Sequence, residues 1–201
     1  MNPAYRLVAR LAIAAALLLG AALAQAQAGG APVYVQFKTT LGSFTVELDS
    51  ARAPLSVGNF LQYVQDKHYD GTIFHRVVGG FVAQGGGFLP DGQEKPTRPG
   101  VPNESGNGLT NRRGTVAIAR TGDPHSGTAQ FYVNLNDNHS LDPGPARWGY
   151  AVFGRVVQGM DVIDAIARVP TGSRATFEDE TPLEPVVIES AQVMQTSAAA
   201  Q

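Results

Sequence analysis

Between Val33 and Asp49 apolar and polar side chains alternate along VYVQFKTTLGSFTVELD, on both sides of Thr40-Leu41-Gly42. A period of two is that of a strand, and a short glycine-containing break between two such runs predicts a hairpin with Gly42 near its turn. The period then changes. In APLSVGNFLQYVQDKHYDG, residues Val57, Phe60, Leu61 and Val64 stand at i, i+3, i+4 and i+7, one face of a helix. Pro54 suits the first turn, where its missing N–H costs nothing, and the helix is expected to stop before Asp70-Gly71. Strand signals resume in TIFHRVV (72–78), GTVAIAR (114–120), AQFYVNL (129–135) and GYAVFGRVV (149–157). GMDVIDAIARVP reads as a second amphipathic helix, with Met160, Ile163 and Ala167 on one face and Pro170 as its stop. EPVVIESAQVM reads as a final strand.

Six to eight strands and two helices without a βαβ rhythm predict a mainly β domain, a barrel or sandwich with helices covering its ends. The Gly/Pro/Asn-rich stretch from 88 to 112 is too long for filler and is expected to carry functional surface.

Composition narrows the class. With 43% hydrophobic and 16% charged residues the chain can bury a core. A formal charge of −2, with no basic cluster among aromatics, argues against nucleic acid as a partner. The first 28 residues read as a secretory signal peptide: Arg6 and Arg10 precede the apolar run LAIAAALLLGAALA, and small-x-small cleavage sites follow. Removing them takes away two arginines and no acid, leaving a formal charge of −4. The expected organisation is a signal peptide (1–28), one domain (29–193) and a flexible tail (194–201), with no membrane association after cleavage. There is no cysteine, so no disulfide supports the fold, and a bacterial periplasm is the expected compartment of a monomer.

The chain lacks a Walker loop, a G-x-G-x-x-G after a strand, H-E-x-x-H and G-x-S-x-G, and its four histidines have no ligand spacing. Neither a cofactor nor a metal is expected. What stands out is FHRVVGGFVAQGGG (74–87). On a strand reading Arg76 projects on the side of Phe74, beside the apolar Phe81 and Val82, the amide of Gln84 and three glycines. TAQFYVNL repeats the recipe with Gln130 next to Phe131 and Tyr132. Together these predict an apolar pocket edged by amides and one arginine, with no nucleophile and no general base.

FHRVVGGFVAQGGGF, NESGNGLTNRRGTVAIAR, AQFYVNL and GYAVFGRVVQGMDVIDAI resemble, in order, the signature segments of the cyclophilin family of peptidyl-prolyl cis–trans isomerases. The resemblance runs from about Val33 to Val193 and is nearer to the bacterial periplasmic branch. It implies a closed eight-stranded antiparallel β-barrel capped by two α-helices, acting on proline-containing unfolded or extended polypeptides. It also implies roles: Arg76 as catalytic arginine with Gln84 as its polar partner, and Phe81 and Val82 as the floor of the proline pocket. Ala119 and Arg120 would offer backbone to the substrate, and Gln130, Phe131, Tyr132, Leu141 and Tyr150 would complete pocket and groove.

Two departures matter. Val82 replaces a methionine common in the family, and Ser140 falls where an aromatic residue usually helps bind cyclosporin. The only tryptophan, Trp148, lies eight residues further on and is expected to pack under the inserted DPGPAR loop, so weak cyclosporin affinity is implied. The rival functions are a proline-segment-binding chaperone or adaptor with little turnover, and a secreted hydrolase, for which no nucleophile–base pair is present.

Overall fold

In the computed structural model, which describes residues 32–174 and 176–194, the first alternating run forms the hairpin of β1 (Val33–Thr39) and β2 (Gly42–Leu48). The Thr39 hydroxyl donates to the Gly42 carbonyl at 2.8 Å and accepts from the Leu41 N–H at 3.1 Å. Gly42 has a φ of +129°, which few other residues tolerate. Val35, Phe37, Phe44, Val46 and Leu48 all turn inward, and the rings of Phe37 and Phe44 stack across the pair at 4.8 Å.

Helix α1 (Pro54–Gln65) buries Val57, Phe60, Tyr63 and Val64, while Leu61 is half-buried. Its N-terminus has no local side-chain cap. Instead the carboxylate of Glu104, from the long segment, accepts from the N–H groups of Leu55 and Ser56 at 3.0 and 2.7 Å. An anion there satisfies orphan donors and meets the positive end of the helix. The helix ends at Gln65, before Asp70-Gly71 as expected.

The remaining strands of the main sheet are β3 (Phe74–Val78), β4 (Val82–Gly85), β5 (Thr115–Ile118), β6 (Phe131–Asn134), β7 (Val152–Gln158) and β10 (Ile188–Met194). Their order is β10-β1-β2-β7-β5-β6-β4-β3, eight strands paired antiparallel. The two ends of the sheet meet through a single bridge between Ile73 and Val187, where the Ile188 N–H donates to Thr72 and the Phe74 N–H to Val186. The inside is filled by Phe37, Phe44, Phe60, Tyr69, Phe74, Phe131 and Phe153 with aliphatic neighbours. Helix α2 (Met160–Ile166) packs Ile163 and Ile166 against this core.

A small hairpin outside the main sheet, β8 (Thr171–Arg174) and β9 (Phe177–Pro182), was not foreseen. Met194, assigned to the tail on sequence, ends β10 opposite Tyr34. The expected signal peptide (1–28) and residues 195–201 lie outside the described residues. Among the described residues no helix is long and apolar enough to cross a membrane.

Candidate active site

Five strands each give one residue to a continuous row. Val152 of β7 pairs with Ala117 of β5, Ala117 with Tyr132 of β6, Tyr132 with Gln84 of β4, and Gln84 with Arg76 of β3. Directly paired residues of antiparallel strands project to one side. That side is not the phenylalanine core: Val82, Ala117, Ala119, Tyr132 and Val152 form a second apolar cluster, ringed by half-buried Phe81, Leu109, Leu141 and Tyr150. The row therefore runs from an apolar recess to a cation.

Arg76 reaches this face because β3 is bulged. Phe74 opposes Gly85 and Arg76 opposes Gln84, so His75 is an extra residue with no counterpart. Phe74 and Val77 consequently both point into the barrel, and Arg76 points out with its side chain 39% exposed. Simple alternation would have put Arg76 on the side of Phe74; the bulge corrects that expectation. The imidazole of His75 lies against the rings of Phe88 and Phe177, at 4.7 and 5.7 Å. Burial and then the charge of Arg76 lower its pKa to about 4, so it is neutral at physiological pH.

The polar groups are fixed one by one. Gln84 Nε2 donates to Gln130 Oε1 at 2.9 Å. Gln130 lies where a side chain on Gly87 would stand, since a Cβ there would come within 2.6 Å of it. The glycine run thus makes room for the protein's own side chains. Arg76 Nε stands 2.8 Å from Oε2 of Glu180 in β9. The Arg120 guanidinium donates to the carbonyls of Thr121, Trp148 and Gly149 and covers the ring of Tyr150 at 4.4 Å. The Ala119 N–H is taken by the Gln130 carbonyl at 2.9 Å, whereas the backbone N–H and C=O of Arg120 have no partner among the described residues.

Beneath the recess runs a chain of amides. The Tyr132 hydroxyl donates to Asn111 Oδ1 at 2.8 Å, and so does Asn134 Nδ2 at 3.2 Å. Asn138 Nδ2 donates to Asn134 Oδ1 at 2.7 Å and to the Phe81 carbonyl at 2.8 Å. Both the N–H and the Nδ2 of Asn111 donate to Asp142 Oδ1. Burial by itself would raise the Asp142 pKa, but these bonds and His139 more than offset it and hold the carboxyl low. Burial and then Tyr150 push the Tyr132 phenol well up, so it stays protonated. The recess thus offers shape, donors and a fixed positive charge, and none of its groups is a nucleophile paired with a base.

A family profile described as cyclophilin type peptidyl-prolyl cis-trans isomerase/CLD matches residues 34–193. The chain belongs to the cyclophilin family. This cyclophilin is 54% identical over 163 residues to the peptidyl-prolyl cis-trans isomerase cyp18 of Streptomyces antibioticus, covering 80% of this chain and 98% of that one. It is 45% identical over 184 residues to peptidyl-prolyl cis-trans isomerase A of Dickeya dadantii, covering 92% and 96%. Like these relatives it is a peptidyl-prolyl cis–trans isomerase. Among solved structures it resembles the cyclophilin AquaCyp293 of Hirschia baltica, with a TM-score of 0.63, 25% identity and coverage of 79% and 73%. A cyclophilin type isomerase of Cryptosporidium parvum shares the fold, with a TM-score of 0.66, 22% identity and coverage of 81% and 98%. The latter protein was also crystallised in the presence of the dipeptide Ala-Pro.

Most of the residues expected at the site of this cyclophilin come together: Arg76, Gln84, Phe81, Val82, Ala119, Arg120, Gln130, Tyr132, Leu141 and Tyr150. Phe131 does not. Being next to Tyr132 on a strand it faces the other way, into the barrel against Phe37, Tyr69 and Phe74, and is 1% exposed. Trp148 is half-exposed, its ring edge-on to His125 at 5.2 Å, and is not packed under the loop. The sequence reading missed Leu109, which joins the apolar rim, the amide chain centred on Asn111, and Glu180. The position of Leu109 in the long Gly/Pro/Asn segment was the one available hint.

Proposed function

We propose that this cyclophilin accelerates X–Pro rotation by electrostatic stabilisation from Arg76, without covalent chemistry, and thereby assists the folding of secreted proteins. The amide C–N bond resists rotation by roughly 18–20 kcal/mol because nitrogen shares its lone pair with the carbonyl, and an X–Pro bond turns over in tens of seconds or more. Halfway round, conjugation is lost and the nitrogen becomes pyramidal and basic. A guanidinium aimed at that nitrogen favours the twisted state over both planar ones, which is catalysis by differential binding. It transfers no proton, since arginine stays charged.

The observation that carries this reading is the cross-strand row that sets Arg76 and Gln84 beside an apolar recess. Val82, Tyr132 and Leu141, with Phe81 and Tyr150 at the rim, would hold a proline ring and exclude water from the nitrogen. Gln84 and the Arg120 backbone would hold the neighbouring peptide groups. A 10⁵-fold enhancement requires about 7 kcal/mol. One charged donor supplies about 2–4 kcal/mol, by analogy with oxyanion-hole donors. Pocket and orientation would contribute the rest.

The partners on this reading are extended proline-containing polypeptides, and the Ala-Pro dipeptide used with the Cryptosporidium parvum protein fits them. The leader-like residues 1–28 support export to a bacterial periplasm, where the enzyme would act as a monomer. The test is NMR exchange spectroscopy on a short X–Pro peptide. Exchange that falls about 10²-fold or more in Arg76→Ala supports the arginine mechanism. Exchange that persists in the variant overturns it, and peptide binding without exchange by the wild type would leave a proline-recognising holdase.

A further inference from the structure

The structure assigns a positioning role to Glu180: we propose that its carboxylate orients the Arg76 guanidinium toward the prolyl nitrogen, an inference that rests on the arginine mechanism above. Glu180 is the only partner that Arg76 finds among the described residues, since the Gln84 amide is turned to Gln130. The ion pair is made at Nε, 2.8 Å from Glu180 Oε2, and no hydrogen bond from the outer nitrogens is found among the described residues. Arginine has many rotamers of similar energy, and a cation that must meet one nitrogen loses effectiveness in most of them.

The surrounding structure fixes this pairing. Glu180 and Lys67 are the only non-glycine residues with positive φ among the described residues, Glu180 at +75°. Its chain neighbour Thr181 donates its hydroxyl to the carbonyl of His75, the chain neighbour of Arg76, at 2.8 Å. Phe177, at the start of the same strand, lies against His75 and Phe88. β9 is thereby held against β3 at His75, next to the ion pair. Stability does not account for this arrangement. Side chains that are 39% and 41% exposed form a pair of little energetic value, while a left-handed non-glycine backbone is unfavourable. Strain of that kind persists where a side chain has to be aimed.

Three variants test the role by exchange spectroscopy, with kcat and KM separated by titrating the peptide. Glu180→Gln is expected to lower kcat about tenfold with KM nearly unchanged, as misplacement of a transition-state contact does. Glu180→Gly relieves the positive φ, so its thermal midpoint should not fall, yet it should lose kcat to the same degree. In an Arg76→Ala background Glu180→Gln should have no further effect, because it acts through the arginine. Wild-type or raised kcat in Glu180→Gln, or an equal loss with and without Arg76, overturns the proposal. Wild-type exchange in Arg76→Ala would sink the arginine mechanism itself, a different result from loss in Arg76→Ala with none in the Glu180 variants.

Discussion

His75 offers a quantitative check on how β3 is supported. The ring is 7% exposed, its Nδ1 has no hydrogen-bond partner, and its pKa is lowered to about 4 by burial and by Arg76. The folded protein thus prefers the neutral ring, whereas the unfolded chain takes up a proton near pH 6.5. Stability from this residue is complete above pH 6.5 and is lost as the pH falls toward 4. With those two values the loss is about 2 kcal/mol between pH 7.5 and 5, and about 3 kcal/mol by pH 4. Replacing His75 by Phe keeps a ring between Phe88 and Phe177, removes the unpartnered nitrogen and abolishes the titration. Urea unfolding followed by far-UV circular dichroism at a series of pH values compares the two proteins. Circular dichroism is preferable to fluorescence because the one tryptophan is half-exposed. His68, also lowered by burial first and then by Lys95, contributes in the same direction in both and cancels in the difference. The stability gap between His75→Phe and wild type should move by about 2 kcal/mol in favour of the variant from pH 7.5 to 5. Parallel curves would refute the assignment of a neutral, buried His75.

Two further substitutions probe the supports of the site and of the barrel. Asn111→Ala strands the Tyr132 hydroxyl and removes one of the bonds made by Asn134 and by Asp142, and should cost about 1–3 kcal/mol in denaturant unfolding while lowering kcat/KM. Gly159→Ala places a Cβ 2.4 Å from the Ser43 carbonyl at a φ of +82°, and should lower stability by about 3 kcal/mol by the same measurement.

The local part of this fold is legible in the sequence. Alternation gave the β1–β2 hairpin, a 3.6 period gave α1, and the segments of Gln84 and Tyr132 stood out together as one pocket, which their pairing across β4 and β6 bears out. The β3 bulge was missed because a strict period of two was imposed on it. Phe74 and Val77, both large and apolar at a spacing of three, cannot both face inward without an extra residue, and that spacing was the readable sign. Phe131 was misplaced because family resemblance was carried over to two adjacent aromatics, only one of which can face the groove. Glu104 on α1, Asn111 under Tyr132 and Glu180 beside Arg76 join positions 49, 21 and 104 residues apart. Such pairs depend on how distant strands pack, and no local pattern announces them.

The seam of the barrel bears on how activity and integrity are related. Arg76 sits on β3, the last strand of the sheet, and β3 is joined to β10 at the other end by one bridge and a few hydrogen bonds instead of a full ladder. Edges held so sparsely open at lower free energy than the interior strands. A breach there would unseat the guanidinium while β1, β2, β5, β6 and β7 remained joined. Turnover is therefore a more sensitive gauge of damage than secondary structure, and an inactive sample of this enzyme can still give the spectrum of a native one.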